Sequence, residues 1–412
     1  MENTHNMKMT LVGMIPIDWE VATIKDYGHL QSDGINPQQY KEKDFVEYSM
    51  PSYDEGQTPS KCKGASMNSN RTQIRGEVLL FNKLNVRQKR VWYIENAPQD
   101  AVCSMEFLAY SSNKVDLRLL REILLQDMVT KSFESVSRGT SNSQKRIAPS
   151  DFLNFSFALP PLDEQHRIAD ALSGIDQLIS ALDEAIAKKQ QVKEGLMQQL
   201  LTGKTAIPGF GGEWKSKRVG DIGFTYSGLT GKAKNDFGHG EAQYITFLNV
   251  LNNPVLKTDI FERVDVRGDE RQNAAKKGDL FFNTSSETPE EVGICALLNS
   301  DIDNLYLNSF CFGFRLTDPD VDGLYLSYFW RSKQGREIMS ALAQGATRYN
   351  LSKEYFNKAI ITLPPIELQR YIANTITAAD KEIAELELKR DKYLLVKQGM
   401  MQELLTGQTR LV

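Results

Sequence analysis

The stretch "LPPLDEQHRIADALSGIDQLISALDEAIAKKQQVKEGLMQQLLTG", residues 159–203, occurs twice. Residues 363–407 read "LPPIELQRYIANTITAADKEIAELELKRDKYLLVKQGMMQELLTG". The two align without a gap at an offset of 204, with 19 identities in 45 positions. Average amino-acid usage would give roughly three by chance. Each copy reads as one long helix. Pro160–Pro161 and Pro364–Pro365 mark its start, and the carboxylates of Asp163, Glu164 and Glu367 follow, suited to a positive helix N-terminus. Gly203 and Gly407 suit the left-handed residue that ends a helix. Apolar residues recur in heptad steps at Ile168, Leu172, Ile175, Ile179, Leu182 and Ile186, and in the copy at Ile372, Ile376, Ala379, Ile383 and Leu386. Both stripes turn polar (Lys189 and Lys193; Arg390 and Lys397) and resume at Leu196 and Leu200, and at Met400 and Leu404. About 40 helical residues span roughly 60 Å, far more than the usual globular helix. Two such stripes predict that the helices pair with each other as an antiparallel coiled coil. The first leads away from one half of the chain and the second returns from the other. The competing reading packs each helix on its own domain.

The repeat extends outward. "RGEVLLFNK" (75–83) resembles "KKGDLFFNT" (276–284), and "IPIDWEVATIKDYG" (15–28) resembles "IPGFGGEWKSKRVGDIG" (207–223), with Trp19 opposite Trp214. The order is globular unit, helix, globular unit, helix: 1–158, 159–204, 205–362 and 363–412. The expected fold is mixed α/β (α+β) in both globular units, within a pseudo-two-fold internal repeat. Strand-like runs such as "EVLLF" alternate there with helix-like ones such as "LYLSYFWRSKQGREIMSAL". "LLTGKT" (200–205) has the tail of a phosphate-binding loop, but that loop needs glycine where Gln198 stands, and the copy "LLTGQT" replaces Lys204 by Gln408. It reads instead as the frayed end of a spacer helix.

Composition narrows the class without deciding function. The 412 residues are 41% hydrophobic and 25% charged, with a net charge of −4. That describes a soluble globular protein without a general attraction to nucleic acid, so phosphate contacts would need local basic patches. No apolar run approaches the ~18 residues of a membrane span, and "MENTHNMKMT" lacks a secretory core. Four scattered cysteines fit a reducing cytoplasm.

The paired "LPP-x-x-x-Q…I-A" entries and paired "L-L-T-G" exits, with a tryptophan and a "G-D/E-h-L/F-F" signal before each helix, resemble the specificity subunit of type I restriction-modification systems. The resemblance covers roughly residues 12–412. Departures are small: Leu368 stands where the first copy has Glu164, and Gly76 leads into Glu77. The resemblance implies two target recognition domains, each reading half of a bipartite double-stranded DNA site. It implies a helical pair that sets the spacing and docks two adenine-N6 methyltransferase subunits, joined by translocase–nuclease restriction subunits. S-adenosylmethionine, ATP and Mg would belong to those partners, with no cofactor and no catalysis in this chain. A rod-like adaptor binding protein or other ligands at its ends is the alternative.

The residues themselves also argue against chemistry. The four histidines form no metal or metalloprotease spacing, and no glycine-rich strand–turn–helix offers a methyl-donor site. Candidate DNA contacts come from polar, basic segments. "NKLNVRQKRVWY" (82–93) supplies Lys83, Arg87, Gln88, Lys89 and Arg90; Gln and Arg can bond adenine and guanine bidentately. "SRGTSNSQKR" (137–146) supplies Thr140, Ser141, Asn142, Gln144, Lys145 and Arg146. Its counterpart "QGATRYN" (344–350) supplies Thr347, Arg348, Tyr349 and Asn350. "SGLTGKAKND" (227–236) adds Lys232 and Lys234, and "NTSSE" (283–287) adds Asn283, Thr284, Ser285 and Ser286.

Overall fold

The computed structural model describes residues 7–139, 144–203 and 207–412. The chain forms two compact units. The first is Met1–Asp183 with Lys389–Val412, and the second is Glu184–Leu388. Each long helix is therefore shared between units, a division by packing that differs from one drawn along the sequence.

The apolar runs that match between the repeats are the central strands. In unit 1, Gly76–Asn82 lies inside a four-stranded antiparallel sheet, between Val91–Ala97 and Phe107–Ser112, with Gly28–Gln31 at the edge. Its side chains alternate between two apolar clusters. Leu79 and Phe81 face one with Phe133, Phe152 and Ile168, while Val78 and Leu80 face another with Trp92 and Ile94. A strand covered on both faces must be apolar throughout, which accounts for "VLLF". Full burial of each such side chain contributes about 1.5–3 kcal/mol. Unit 2 repeats the order with Cys295–Leu297, Leu280–Asn283, Cys311–Leu316 and Gly223–Ser227. There Leu280 and Phe282 face one cluster and Phe281 the other. A second sheet in each unit holds one parallel pair: Asp44–Tyr48 with Ala101–Ser104, and Phe237–Ile245 with Leu305–Leu307. A pair of helices completes each unit, Leu117–Leu124 and Asp127–Val136 in one, Gly323–Arg331 and Lys333–Leu342 in the other.

The long helices run Leu162–Leu200 and Ile366–Leu404. The shared glutamine after each "LPP" is a clip. Gln165 is buried; its Oε1 accepts from Asp116 N at 3.0 Å, and its Nε2 donates to Pro160 O at 2.9 Å. Gln369 does the same with Asp322 N (2.9 Å) and Pro364 O (2.8 Å). Asp116 and Asp322 are themselves the N-caps of Leu117–Leu124 and Gly323–Arg331. One amide thus fixes the start of the long helix to the cap of a shorter one.

Within each unit the two long helices run antiparallel. In unit 1, Lys397 pairs with Asp176 at 2.7 Å and Arg390 with Asp183 at 3.6 Å, so seven residues forward on one helix is seven back on the other. In unit 2, Lys189 pairs with Glu382 at 2.5 Å and Lys193 with Asp380. The Lys193–Asp380 pair is the repeat image of Lys397–Asp176. The polar break in each stripe is thus a place where ions bridge the helices. The apolar stripe divides between the two readings offered for it. Ile168 and Leu172 join the core of unit 1 together with Leu404 and Leu405, and Ile372 and Ile376 join that of unit 2 beside Met197 and Leu200. Ile186 and Ile383 are buried, whereas Ile175, Ile179, Leu182 and Leu386 are half-buried.

The "LLTG" exits are not frayed. Leu201 is buried in the core of unit 2, and Leu404 and Leu405 in that of unit 1. Gly203 and Gly407 have φ of +68° and +70°, the left-handed conformation that glycine adopts without strain. A Cβ on Gly203 would meet the Trp214 ring at 2.9 Å, and one on Gly407 would meet Pro16 at 2.4 Å. The tryptophans matched in sequence are therefore the surfaces on which the helices end. Unit 1 adds a clasp. Glu164 accepts from Trp19 Nε1 at 3.0 Å and from Arg410 Nε and Nη2 at 2.7 and 2.8 Å. Arg410 also grips Asp18 with bonds of 2.9 and 2.6 Å. At the matching place in unit 2, Leu368 is simply buried among apolar residues.

Candidate nucleic-acid interface

Three segments meet in each unit, joined by equivalent backbone bonds. In unit 1, Lys83 follows the central strand. Its N–H donates to Glu106 O at 2.9 Å, and its carbonyl accepts from Ile147 N at 3.1 Å. In unit 2, Thr284 N donates to Phe310 O at 2.9 Å, and Thr284 O accepts from Leu351 N at 2.8 Å. The strand end, the turn at 106 or 310, and the loop ending at 147 or 351 thus form the same junction twice. The sequence-predicted segments "NKLNV" and "QKR" meet in one, and "NTSSE" and "TRYN" in the other. Ser285 and Ser286 pair with Asn350 and Tyr349 in a small antiparallel sheet, while Asn85 N donates to Lys145 O at 2.8 Å.

The loop after Lys83 is held by a buried anchor, Val86, between Asn85 and Lys89, both left-handed at φ of 51° and 49°. That geometry turns Arg87 and Gln88 outward. Most of the cations nearby already have acids. Arg87 pairs with Glu134, Lys89 with Asp127 at 2.5 Å, and Arg90 bidentately with Asp54 at 2.8 and 2.7 Å. Bonds from Arg90 and from Lys89 hold the Asp54 and Asp127 carboxyls below their ordinary range. Arg146 pairs with Glu106 at 3.1 Å, which raises the guanidinium above its usual value. Each of these pairs has at least one partner open to solvent, which screens it, so a phosphate can take the place of the carboxylate. Lys83, Gln88 and Lys145 make no side-chain bond among the described residues, and Gln144 is exposed. Thr140, Ser141 and Asn142 lie outside the described residues.

In unit 2 several candidates have partners within the chain. Asn283 is fully buried; its Nδ2 donates to Ser285 O and Glu291 O, and its Oδ1 accepts from Ile294 N. Thr284 Oγ1 donates to Phe310 O, Ser286 Oγ donates to Glu291, and Ser285 is buried in its strand. The Lys232 side chain is 5% exposed and bonds Glu270 at 2.6 Å, which ties its loop to that carboxylate. Tyr349 packs against the core of unit 2. Thr347, Arg348, Asn350 and Lys234 remain exposed, and Arg348 and Lys234 have no acidic partner among the described residues. Glu106 and Phe310, central to the two junctions, were not among the sequence candidates. The 204-residue offset pairs them, and their contrast in type was the available signal.

The two junctions are alike in backbone and unlike in side chains, and comparison with known proteins shows the family of the chain that carries them. A model of the type I restriction modification DNA specificity domain matches twice, at residues 16–194 and 211–394. The chain belongs to the type I restriction-modification DNA specificity family. A Methanocaldococcus jannaschii protein, the specificity subunit of the type I restriction enzyme MjaVIII, is 25% identical over 316 residues, covering 72% of each chain. Another, proposed as the specificity subunit of the type I enzyme MjaX, is 24% identical over 436 residues, covering 98% of this chain and 97% of that protein. The crystal structure of a type I system S subunit from M. genitalium shares the fold at a TM-score of 0.60, with 13% identity over 94% of this chain and 96% of that one. A chain from a study of assembly and conformational transition in a type I system gives 0.58, with 17% identity over 96% and 99%. The relatives support a specificity subunit with two DNA recognition domains, not the adaptor. Among its described residues no group of three or more His, Cys, Asp or Glu is placed to hold a metal, and no helix is long and apolar enough to cross a membrane.

Proposed function

We propose that this specificity subunit reads a bipartite double-stranded DNA site, one half through each three-segment junction. Exposed cations would take phosphates, and Gln88, Arg348 and Asn350 would face base edges. The observation that carries this reading is the recurrence of one backbone junction, Glu106–Lys83–Ile147 and Phe310–Thr284–Leu351, bearing different side chains in a chain of this family. The long helices, which leave Leu178, Val192, Leu388 and Leu395 exposed, dock two adenine methyltransferase subunits, and restriction subunits join that core. S-adenosylmethionine, ATP and Mg are held by those partners, and the complex acts in the cytoplasm.

The test replaces residues 205–362 with the matching segment of another family member and maps methylated adenines in a host carrying the methyltransferase subunit. One half of the recognised sequence should change while the other stays. A simultaneous change in both halves would refute independent reading.

A further inference from the structure

We propose that Phe310 is a specificity-determining residue of unit 2 that contacts the methyl group of a thymine; this rests on the DNA-reading function above. The residue is 60% exposed. A scattered surface apolar residue needs no explanation, but this one sits on a turn built to hold it. Its N–H donates to Asn308 Oδ1 at 2.8 Å, and Asn308 is itself buried, donating through Nδ2 to Ile245 O at 2.9 Å. Its carbonyl accepts from both the N–H and the hydroxyl of Thr284, at 2.9 and 2.7 Å. Both peptide groups of the residue are fixed, and the phenyl ring is left without cover.

Its place carries the argument further. Phe310 and Leu351 both bond Thr284, so Phe310 is one strand removed from the strand, Tyr349–Leu351, that leads out of the exposed loop of Thr347 and Arg348. At the equivalent point of unit 1 stands Glu106, occupied by Arg146. The same turn thus offers an apolar surface in one unit and a charged pair in the other. An apolar group beside hydrogen-bonding side chains matches the one apolar feature of the major-groove edge, the thymine C5 methyl. A wedge between base steps is the other use of an exposed phenylalanine on DNA, and it would be indifferent to that methyl.

The experiment uses the full chain with its methyltransferase subunit and duplexes carrying the mapped site. Thymines in the half-site read by unit 2 are replaced singly by deoxyuridine, which removes only the methyl. One replacement should weaken binding about fourfold, the equivalent of one buried methyl group. Phe310→Ala should lose a similar factor on the natural site and become indifferent to that replacement, with an unchanged melting temperature. Phe310→Leu should retain part of the discrimination, and replacements in the other half-site should be unaffected by either variant. The proposal is overturned if Phe310→Ala binds normally, if it weakens binding without altering the thymine–uracil ratio, or if the half-site has no thymine. A complex that binds no specific sequence refutes the DNA-reading function and this proposal together.

Discussion

Removing the guanidinium of Arg410 should unlatch unit 1. Glu164 and Arg410 are both nearly inaccessible, with side chains 3% and 7% exposed. Arg410→Ala deletes two charge-assisted bonds to Glu164 and two to Asp18, and leaves the buried Glu164 carboxylate with Trp19 Nε1 at 3.0 Å and Leu411 N at 3.3 Å. Breaking one side of a buried pair costs about 3–5 kcal/mol; the two surviving donors place this case near the lower end. The second repeat supplies the compensating change, because Leu368 occupies the position of Glu164 without any clasp. Glu164→Leu combined with Arg410→Ala should therefore recover most of the loss, since an apolar replacement of a buried pair is often neutral. The assay is urea unfolding together with amide exchange, compared between residues 7–183 and residues 184–388. Arg410→Ala should speed exchange in the first range and leave the second alone. If the single variant loses under 1 kcal/mol, or the double variant is no more stable than the single, the carboxylate is not the reason the clasp exists.

Arg348→Ala should weaken binding through the second half-site; if the side chain holds a phosphate, the logarithmic salt slope of binding should fall by roughly one unit, and an unaltered affinity and slope would remove the loop from the interface. Ile383→Asp, at a buried stripe position, should lower the melting temperature more than Ile179→Asp at a half-buried one, and a double variant that melts normally would contradict pairing of the stripes. The Lys232 bond lowers the Glu270 pKa from 4.5 to about 2. Its folded value is depressed, so its stabilisation is present above about pH 4.5 and fades as pH falls toward 2. Glu270→Gln should melt below the parent at neutral pH, with the gap closing across that acid window; a gap independent of pH would refute the linkage.

The repeat was legible because both copies solve the same packing problem. Leu79 to Phe81 and Leu280 to Phe282 must be apolar on both faces, and Gln165 and Gln369 must each satisfy the same two backbone groups. The antiparallel order followed from connectivity, and the within-unit ion pairs of Lys397 and Lys193 carry it. The polar candidates were less legible, because a hydroxyl or amide in a sequence does not say whether the protein uses it. Asn283, Thr284 and Ser286 looked free and are consumed by neighbours up to 26 residues away. Lys232 looked like a phosphate ligand, yet Glu270 stands 38 residues further on. Phe310, which nothing in the sequence singled out, is exposed, whereas Phe312 and Phe314 are buried. For Thr284 and Lys232 the partner is distant in sequence, and only folding discloses the pairing.

The division of the chain fixes an order of events during synthesis. Unit 2 is one continuous stretch, 184–388, whereas unit 1 is finished only by Lys389–Val412, made after all of unit 2. The Arg410–Asp18 bonds join residues 392 apart. At about 5–20 residues per second, a ribosome needs roughly 10–40 s to make residues 184–388. During that interval Ile168 and Leu172 lack Leu404 and Leu405, and Glu164 lacks its arginine. The domain translated first is thus the last to close, and its waiting apolar surface is where a chaperone would find the nascent chain.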